Sequence, residues 1–368
     1  MKTASLLGPV LPLLLLVACG GGDTKKPATP ANSNSGSSTS TGGAAPSKET
    51  QDPKPQKPKR VRRPRIDMRM VKALMSNDPP APKAEVASTP ALVALGNALY
   101  HSEHLSAKGN LSCASCHDLS TYGVDNKPTS PGSTGENGDR NTPSTYNAAR
   151  QFRQFWDGRA ESVEEQAIMP VLNPIEHGLA DEAAVVAKIN EKPELVAGFK
   201  KAFPDDASPV TAKNFGIAIG AFERTLVTKS RWDKYLDGDL KALTNEELVG
   251  LDRFIKIGCT SCHLTRTLGG NAYQKLGLLQ PYKGKDTGRE KVTGDVADKY
   301  SFKIPSLANV EKTAPYYHDG SIATLEEAIT TMAARQLDKK LSDEDVASLV
   351  LFLKTLTGPL PAEFAKKN

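Results

Sequence analysis

Four of the five cysteines fall into two copies of one short pattern, Cys113-Ala114-Ser115-Cys116-His117 and Cys259-Thr260-Ser261-Cys262-His263. Two thiols at this spacing can add across the two vinyl groups of one porphyrin, and a histidine directly after the second places an imidazole nitrogen on its iron. The pattern points to two covalently attached c-type haems. A thioredoxin-like redox pair or a four-cysteine zinc site would also use paired cysteines. Neither accounts for a histidine at the same offset in both copies. The fifth cysteine, Cys19, stands apart from both.

With His117 and His263 as proximal ligands, the groups left for the opposite faces of the irons are few. The remaining histidines are His101, His104, His177 and His318, and the methionines beyond the N-terminal ones (Met68, Met70 and Met75 included) are Met169 and Met332. Helical patterns must position these groups. Phe215, Ala218, Ile219, Phe222 and Leu226 repeat at helical spacing behind a Thr211 N-cap. Thr244 and Glu247 form a capping box for a helix through Leu248, Leu251 and Ile255 that leads into the second cysteine pair, and Ser342 with Asp345 opens a last helix stopped by Gly358-Pro359. Strand-like alternation is scarce. The predicted fold is all-α, two cytochrome c-like haem domains in tandem after a disordered N-terminal tether, with domains at 66–228 and 229–368.

The 368 residues carry a formal charge of +5 and are 38% hydrophobic. Residues 1–65 hold eleven Lys and Arg against three Asp and Glu, which leaves −3 for residues 66–368. The basicity is therefore a property of the tail, and a nucleic-acid role is excluded. Lys2 and a short apolar run ending at Leu16-Val17-Ala18-Cys19 read as an export signal over residues 1–18, too short to span a bilayer. The last four positions match a bacterial lipobox, with Cys19 as the lipidated residue, although a plain secretory signal is the other reading. Residues 19–65 are rich in Pro, Ser, Gly and Thr and have too few apolar groups to pack, so they read as a linker. Its end, Lys57 to Arg65, either binds an anionic surface or serves as a solvated charge run.

Several further motifs carry a resemblance. Asn141-Thr142-Pro143-Ser144, Phe155-Trp156-Asp157-Gly158-Arg159-Ala160, Glu165-Gln166-Ala167 and Pro174-Ile175-Glu176 resemble the first domain of bacterial di-haem cytochrome c peroxidases. Ala314-Pro315-Tyr316-Tyr317-His318-Asp319-Gly320, Leu325-Glu326-Glu327-Ala328, Met332 and Gln336-Leu337 are similar to the second. The likeness runs in the family's order from Leu95 to Gly358. It implies a high-potential haem on His263 and Met332 that takes electrons from a small cytochrome c or cupredoxin, and a peroxidatic haem on His117. It further implies Glu176 as the acid/base for hydrogen peroxide, Gln166 as its positioning partner and Trp156 as a relay between haems. Asn141, Thr313 and Pro315 match the ligands of an inter-domain calcium, His318 matches a structural or path residue, and the resemblance extends to a homodimer. A periplasm-facing, lipid-anchored protein follows, with Gly20 after Cys19 favouring the outer membrane.

The chain departs from the family at one position. Typical members carry a distal histidine seven residues before the Arg of the Arg-Asn-x-Pro motif, and here Ser133 occupies that place. A serine hydroxyl is a poor iron ligand. The expectation is an open peroxidatic iron that needs no reductive activation, in a loop whose glycines suggest mobility, with His177 as the rival ligand. A tethered electron carrier or redox sensor, or an oxidase of an organic or protein substrate, are the competing functions.

Overall fold

The computed structural model describes residues 61–365. The expected signal, the lipidation site Cys19 and most of the linker lie outside the described residues. Twelve helices and one two-stranded ribbon make up the regular structure. In the first lobe these are α2 (Pro90–Tyr100), α3 (Cys113–Cys116), α4 (Val163–Leu172), α5 (Glu182–Asn190), α6 (Pro193–Ala202) and α7 (Ala212–Glu223), preceded by α1 (Met68–Met75). The second has α8 (Arg231–Leu236), α9 (Asn245–Ile257), α10 (Glu290–Thr293), α11 (Leu325–Leu337) and α12 (Asp343–Lys354). Strand β1 (Tyr273–Lys275) pairs antiparallel with β2 (Ser301–Lys303), setting Tyr273 opposite Lys303.

The helices begin where the sequence places their caps. Thr211 Oγ1 accepts the Asn214 N–H at the start of α7, and the boxes Thr244 with Glu247 and Ser342 with Asp345 both close. Gly258 ends α9 with a φ of 104°, a left-handed turn that suits glycine, and carries the chain directly into Cys259.

Each lobe has its own apolar core, and both are built on the same helix crossing. In the first, α2 lies on α7 with Leu92, Leu95, Leu99, Phe215 and Phe222 between them. In the second, α9 lies on α12 around Leu248, Leu251, Phe254, Phe352 and Leu353, with Trp232 stacked edge-on to Phe352. The crossings are close because a glycine sits at each contact point. A Cβ on Gly96 would collide with the carbonyl oxygen of Ala218, and one on Gly250 with that of Ser348. Phe222 and Phe352 stand four residues beyond those carbonyls, so the repeat extends to individual side chains.

The packing departs from the expected boundaries at both ends. Arg63 donates to Leu240 O at 3.1 Å and Asn245 Nδ2 to Val61 O at 3.1 Å, so the linker has already docked on the second lobe by residue 61. Val71 and Met75, both fully buried, belong to the second core and not to the first. Conversely, Leu360 and Phe364 pack against the first core. The physical reason is that α1 is amphipathic and its apolar stripe is covered only by α8 and its neighbours.

Between the lobes lies a buried polar knot. Asn147 and Asn309 adopt the same left-handed conformation (φ 61° each), and their Nδ2 groups donate to one hydroxyl, Thr228 Oγ1, at 2.9 and 3.0 Å. Their backbone N–H groups in turn reach Leu226 O and Leu356 O at the ends of the last helix of each lobe. Gly96→Ala and Gly250→Ala should each lower stability by about 1–3 kcal/mol through overpacking, read from denaturant unfolding of the purified protein; wild-type stability in both would remove the close crossing as the basis of the fold.

Candidate functional site

Cys113 and Cys116 stand one helical turn apart on α3, and the 3₁₀ turn Cys259–Ser261 with Cys262 repeats the arrangement. Burial pushes the Cys113 thiol up to about 12, helped by the negative charge of Glu223, and burial does the same to Cys259. Thiols raised in this way are not activated for redox exchange. Among the described residues no group of three or more His, Cys, Asp or Glu side chains is placed to hold a metal ion by itself.

The two histidines are matched. His117 Nδ1 donates to Gly123 O at 3.2 Å and His263 Nδ1 to Leu268 O at 2.8 Å. Burial lowers the pKa of both. Each imidazole is therefore neutral, its ring fixed by one nitrogen and its Nε2 left for an iron. Tyr100 OH adds a bond of 2.7 Å to His117 O from within the core.

Around the second pair lies a cavity of about 340 Å³ whose lining includes Cys259, Cys262, His263 and Met332. Met332, on α11, thus shares a cavity with the histidine it was matched to. The Tyr317 hydroxyl in the same wall is buried with no hydrogen-bond partner. An apolar slot with two thiols, a neutral imidazole, a thioether and an orphaned hydroxyl fits a haem.

The same cavity reaches Trp156, Asn141, Thr313, Pro315 and His318. Trp156 Nε1 donates to Asn141 O at 2.9 Å, and its ring meets His318 edge-on at 6.4 Å. His318 in turn stacks on Phe302 at 4.2 Å, while its Nε2 is hydrogen-bonded to Tyr282 OH at 3.1 Å. His318 is therefore engaged by its neighbours. Asn141 turns its Nδ2 to the carbonyls of Lys127 and Pro128.

Of the residues matched to the peroxide site, Glu176 is linked to the first pair. Glu176 follows α4 and accepts from Asn173 Nδ2 at 3.1 Å. Its charge is among the smaller influences on both Cys113 and Cys116, which puts it within electrostatic range of the first cysteine pair. Burial raises its pKa, against the opposing pull of Arg159 and of the Asn173 bond. Gln166 is half-buried on α4, the helix that Asn173 ends.

Ser133 is buried, and its environment corrects the expectation of a mobile loop. Its hydroxyl donates to Asn110 Oδ1 at 2.7 Å and accepts the Lys108 N–H at 3.2 Å, while its own N–H reaches Glu176 O at 2.8 Å. Gly132 lies so close to Ile175 O that a Cβ there has no room. The glycine serves close approach, so the loop is a docked hairpin. His177 is also held, by Nδ1 donating to Leu105 O at 2.7 Å.

Sequence reasoning missed three contributors. Asn173 holds the carboxylate, and the Asn-Pro step that ends α4 was its available signal. Arg159 acts on Glu176 through space and lies over the Phe155 ring at 3.4 Å. Lys303, buried in the cavity wall, left no pattern to read, because β2 is only three residues long.

Comparison with known proteins agrees with this geometry. A family model described as di-haem cytochrome c peroxidase matches residues 90–241. Cytochrome c551 peroxidase of Nitrosomonas europaea is 43% identical over 78% of this chain and 86% of its own, and that of Pseudomonas aeruginosa is 41% identical over 73% and 79%. Among solved structures, a MauG-like protein associated with microbial copper homeostasis superposes with a TM-score of 0.68 at 30% identity, covering 78% of this chain and 95% of that one. With paired thiols and a neutral histidine repeated in two lobes, and a haem-sized slot at the second pair, the chain belongs to the di-haem cytochrome c peroxidase family and is a peroxidase that carries two c-type haems.

Proposed function

We propose that this protein reduces hydrogen peroxide to water at the first lobe, with electrons from a small periplasmic cytochrome c or cupredoxin entering through the second, and that it works without prior reduction. The observation that carries the reading is the Glu176 carboxyl, buried, raised in pKa, held by Asn173 and within electrostatic range of the first cysteine pair. When bound, the haem on His117 supplies the iron that accepts peroxide, and the haem on His263 and Met332 supplies it with electrons.

Glu176 takes the proton from the peroxide oxygen nearest the iron and returns it to the leaving oxygen. A carboxyl raised toward neutrality is suited to both steps. Asn173 fixes the carboxylate, Gln166 orients peroxide from α4, and Arg159 favours the ionised carboxyl that acts as a base. Two electrons and two further protons complete the reduction to two waters. Trp156, in edge contact with His318, serves as the relay between lobes.

The engagement of Ser133 with Asn110 and Lys108 supports an open iron, because both hydrogen-bonding roles of its hydroxyl are already used. His177 would have to break its bond to Leu105 O to reach the metal, which disfavours it as a sixth ligand. Calcium at Asn141, Thr313 and Pro315, and anchoring through a lipidated Cys19 at the outer membrane, complete the proposal.

Four outcomes are expected. Glu176→Gln should lower kcat for peroxide by about 10²–10⁴-fold with both haem spectra unchanged, and undiminished turnover would remove Glu176 from its role. The acid limb of the rate profile should lie above the ordinary carboxylate range, since a raised group stays protonated and inactive as a base to higher pH. Arg159→Met removes a charge that holds Glu176 down and should move that limb higher still. In the fully oxidised enzyme, electron paramagnetic resonance should show a high-spin first haem beside a low-spin second; two low-spin signals would overturn the open site.

A further inference from the structure

Lys303 is a lysine buried where charge is expensive. It lies on β2 in the second lobe, lines the cavity of His263 and Met332, and is 7% exposed. Its backbone N–H donates to Trp156 O at 2.7 Å. Its Nζ reaches into the first lobe, to Gln151 Oε1 at 2.5 Å and Arg153 O at 3.0 Å. Lys303 therefore touches both the relay segment and the electron-entry cavity.

The groups around it do not neutralise a charge there. Among the described residues Lys303 enters no ion pair. The carboxylate that acts on it, Asp157, is already claimed by Arg140 at 2.6 Å and Arg159 at 3.0 Å. Arg153 is paired with Glu161, and Arg140 also holds Asp286. From β1, Tyr273 stands opposite with its hydroxyl bonded to Arg289, and the His318 ring lies on the neighbouring Phe302 with its pKa lowered by burial. Nζ is thus hydrogen-bonded by neutral oxygens in a setting with no carboxylate of its own. Burial brings its pKa down to about 7, so that near neutrality small changes in local charge decide whether it carries a proton.

We propose that Lys303 takes up a proton when the haem of the second lobe is reduced and gives it up when that electron moves on, coupling electron entry to proton uptake. The proposal rests on the reading of His263 and Met332 as the haem ligands. The step balances: one electron from the donor protein reduces the iron from ferric to ferrous, and one proton from solvent forms a third N–H bond on Nζ. Reduction removes one positive charge from the iron, which favours gaining one at Nζ. Linkage makes the effect reciprocal, so a protonated Lys303 favours the ferrous state by the same factor.

The test is spectroelectrochemical titration of the second haem in the holoenzyme between about pH 6 and 9, with haem content measured for each variant. In the wild type the midpoint potential should fall as pH rises through neutrality. In Lys303→Met it should be low and flat, for want of a charge. In Lys303→Arg, whose guanidinium keeps its proton throughout, it should be flat and high. Folding and loading of either variant suffice, since each predicts a flat profile. A pH-independent wild-type midpoint, or a slope that survives in either variant, overturns the proposal; a surviving slope assigns the proton to another group, such as a haem carboxylate. A second haem without the spectrum of histidine and thioether ligation would instead overturn the functional reading on which the proposal rests.

Discussion

The arrangement of the site hangs on Arg140. This guanidinium leaves the Arg-Asn-Thr-Pro motif of the first lobe and bonds Asp157 at 2.6 Å and Asp286 of the second lobe at 2.7 and 3.0 Å. Burial works against the Asp286 carboxylate, yet the bonds from Arg140 and the Gly288 N–H hold it well below the usual carboxylate range. Asp157 directly follows Trp156, so the ion cluster fixes the tryptophan between the lobes. The same Asp157 accepts from Arg159, whose charge acts on Glu176. One charge network therefore runs from the lobe junction to Glu176. Removing a single partner from a buried network of this kind costs about 3–5 kcal/mol, because it strands the charges left behind.

The two lobes are one design used twice and then specialised. The Gly96 and Gly250 crossings, the left-handed Asn147 and Asn309, and the histidines fixed through Nδ1 all correspond. The asymmetry lies in what surrounds each histidine. The second lobe offers the Met332 thioether from α11 in an apolar slot, the setting proposed for electron entry. The first offers the raised Glu176 carboxyl held by the Asn173 amide just beyond the end of α4, the setting proposed for proton transfer.

Much of this is legible in the sequence because it is local. Paired cysteines with a following histidine declare the haems, and the capping boxes at Thr244 and Ser342 declare two helices of the second lobe. What is illegible is set by distant contacts. Nothing in the run Met68–Met75 says which core its stripe will face, and the chain delivers it to the second. The glycines around Ser133 suggest freedom, whereas Gly132 is required by the approach of Ile175 O. Lys303 reads as one more surface cation until its neighbours across the junction are known. In each case the deciding partner is far away in sequence, where composition and periodicity carry no signal.

The crossed termini have a consequence of their own. Residues 61–75 complete the core of the lobe that follows in sequence, and Leu360 with Phe364 close over the lobe that came first. The polypeptide is laced, so neither haem unit is a contiguous cassette that could be cut out at residue 228 and still have its full packing. Such a lacing preserves the distance between the two redox centres against domain drift and ties their evolutionary fates together. A single-haem descendant would have to rebuild a core, and gene truncation alone would not produce one.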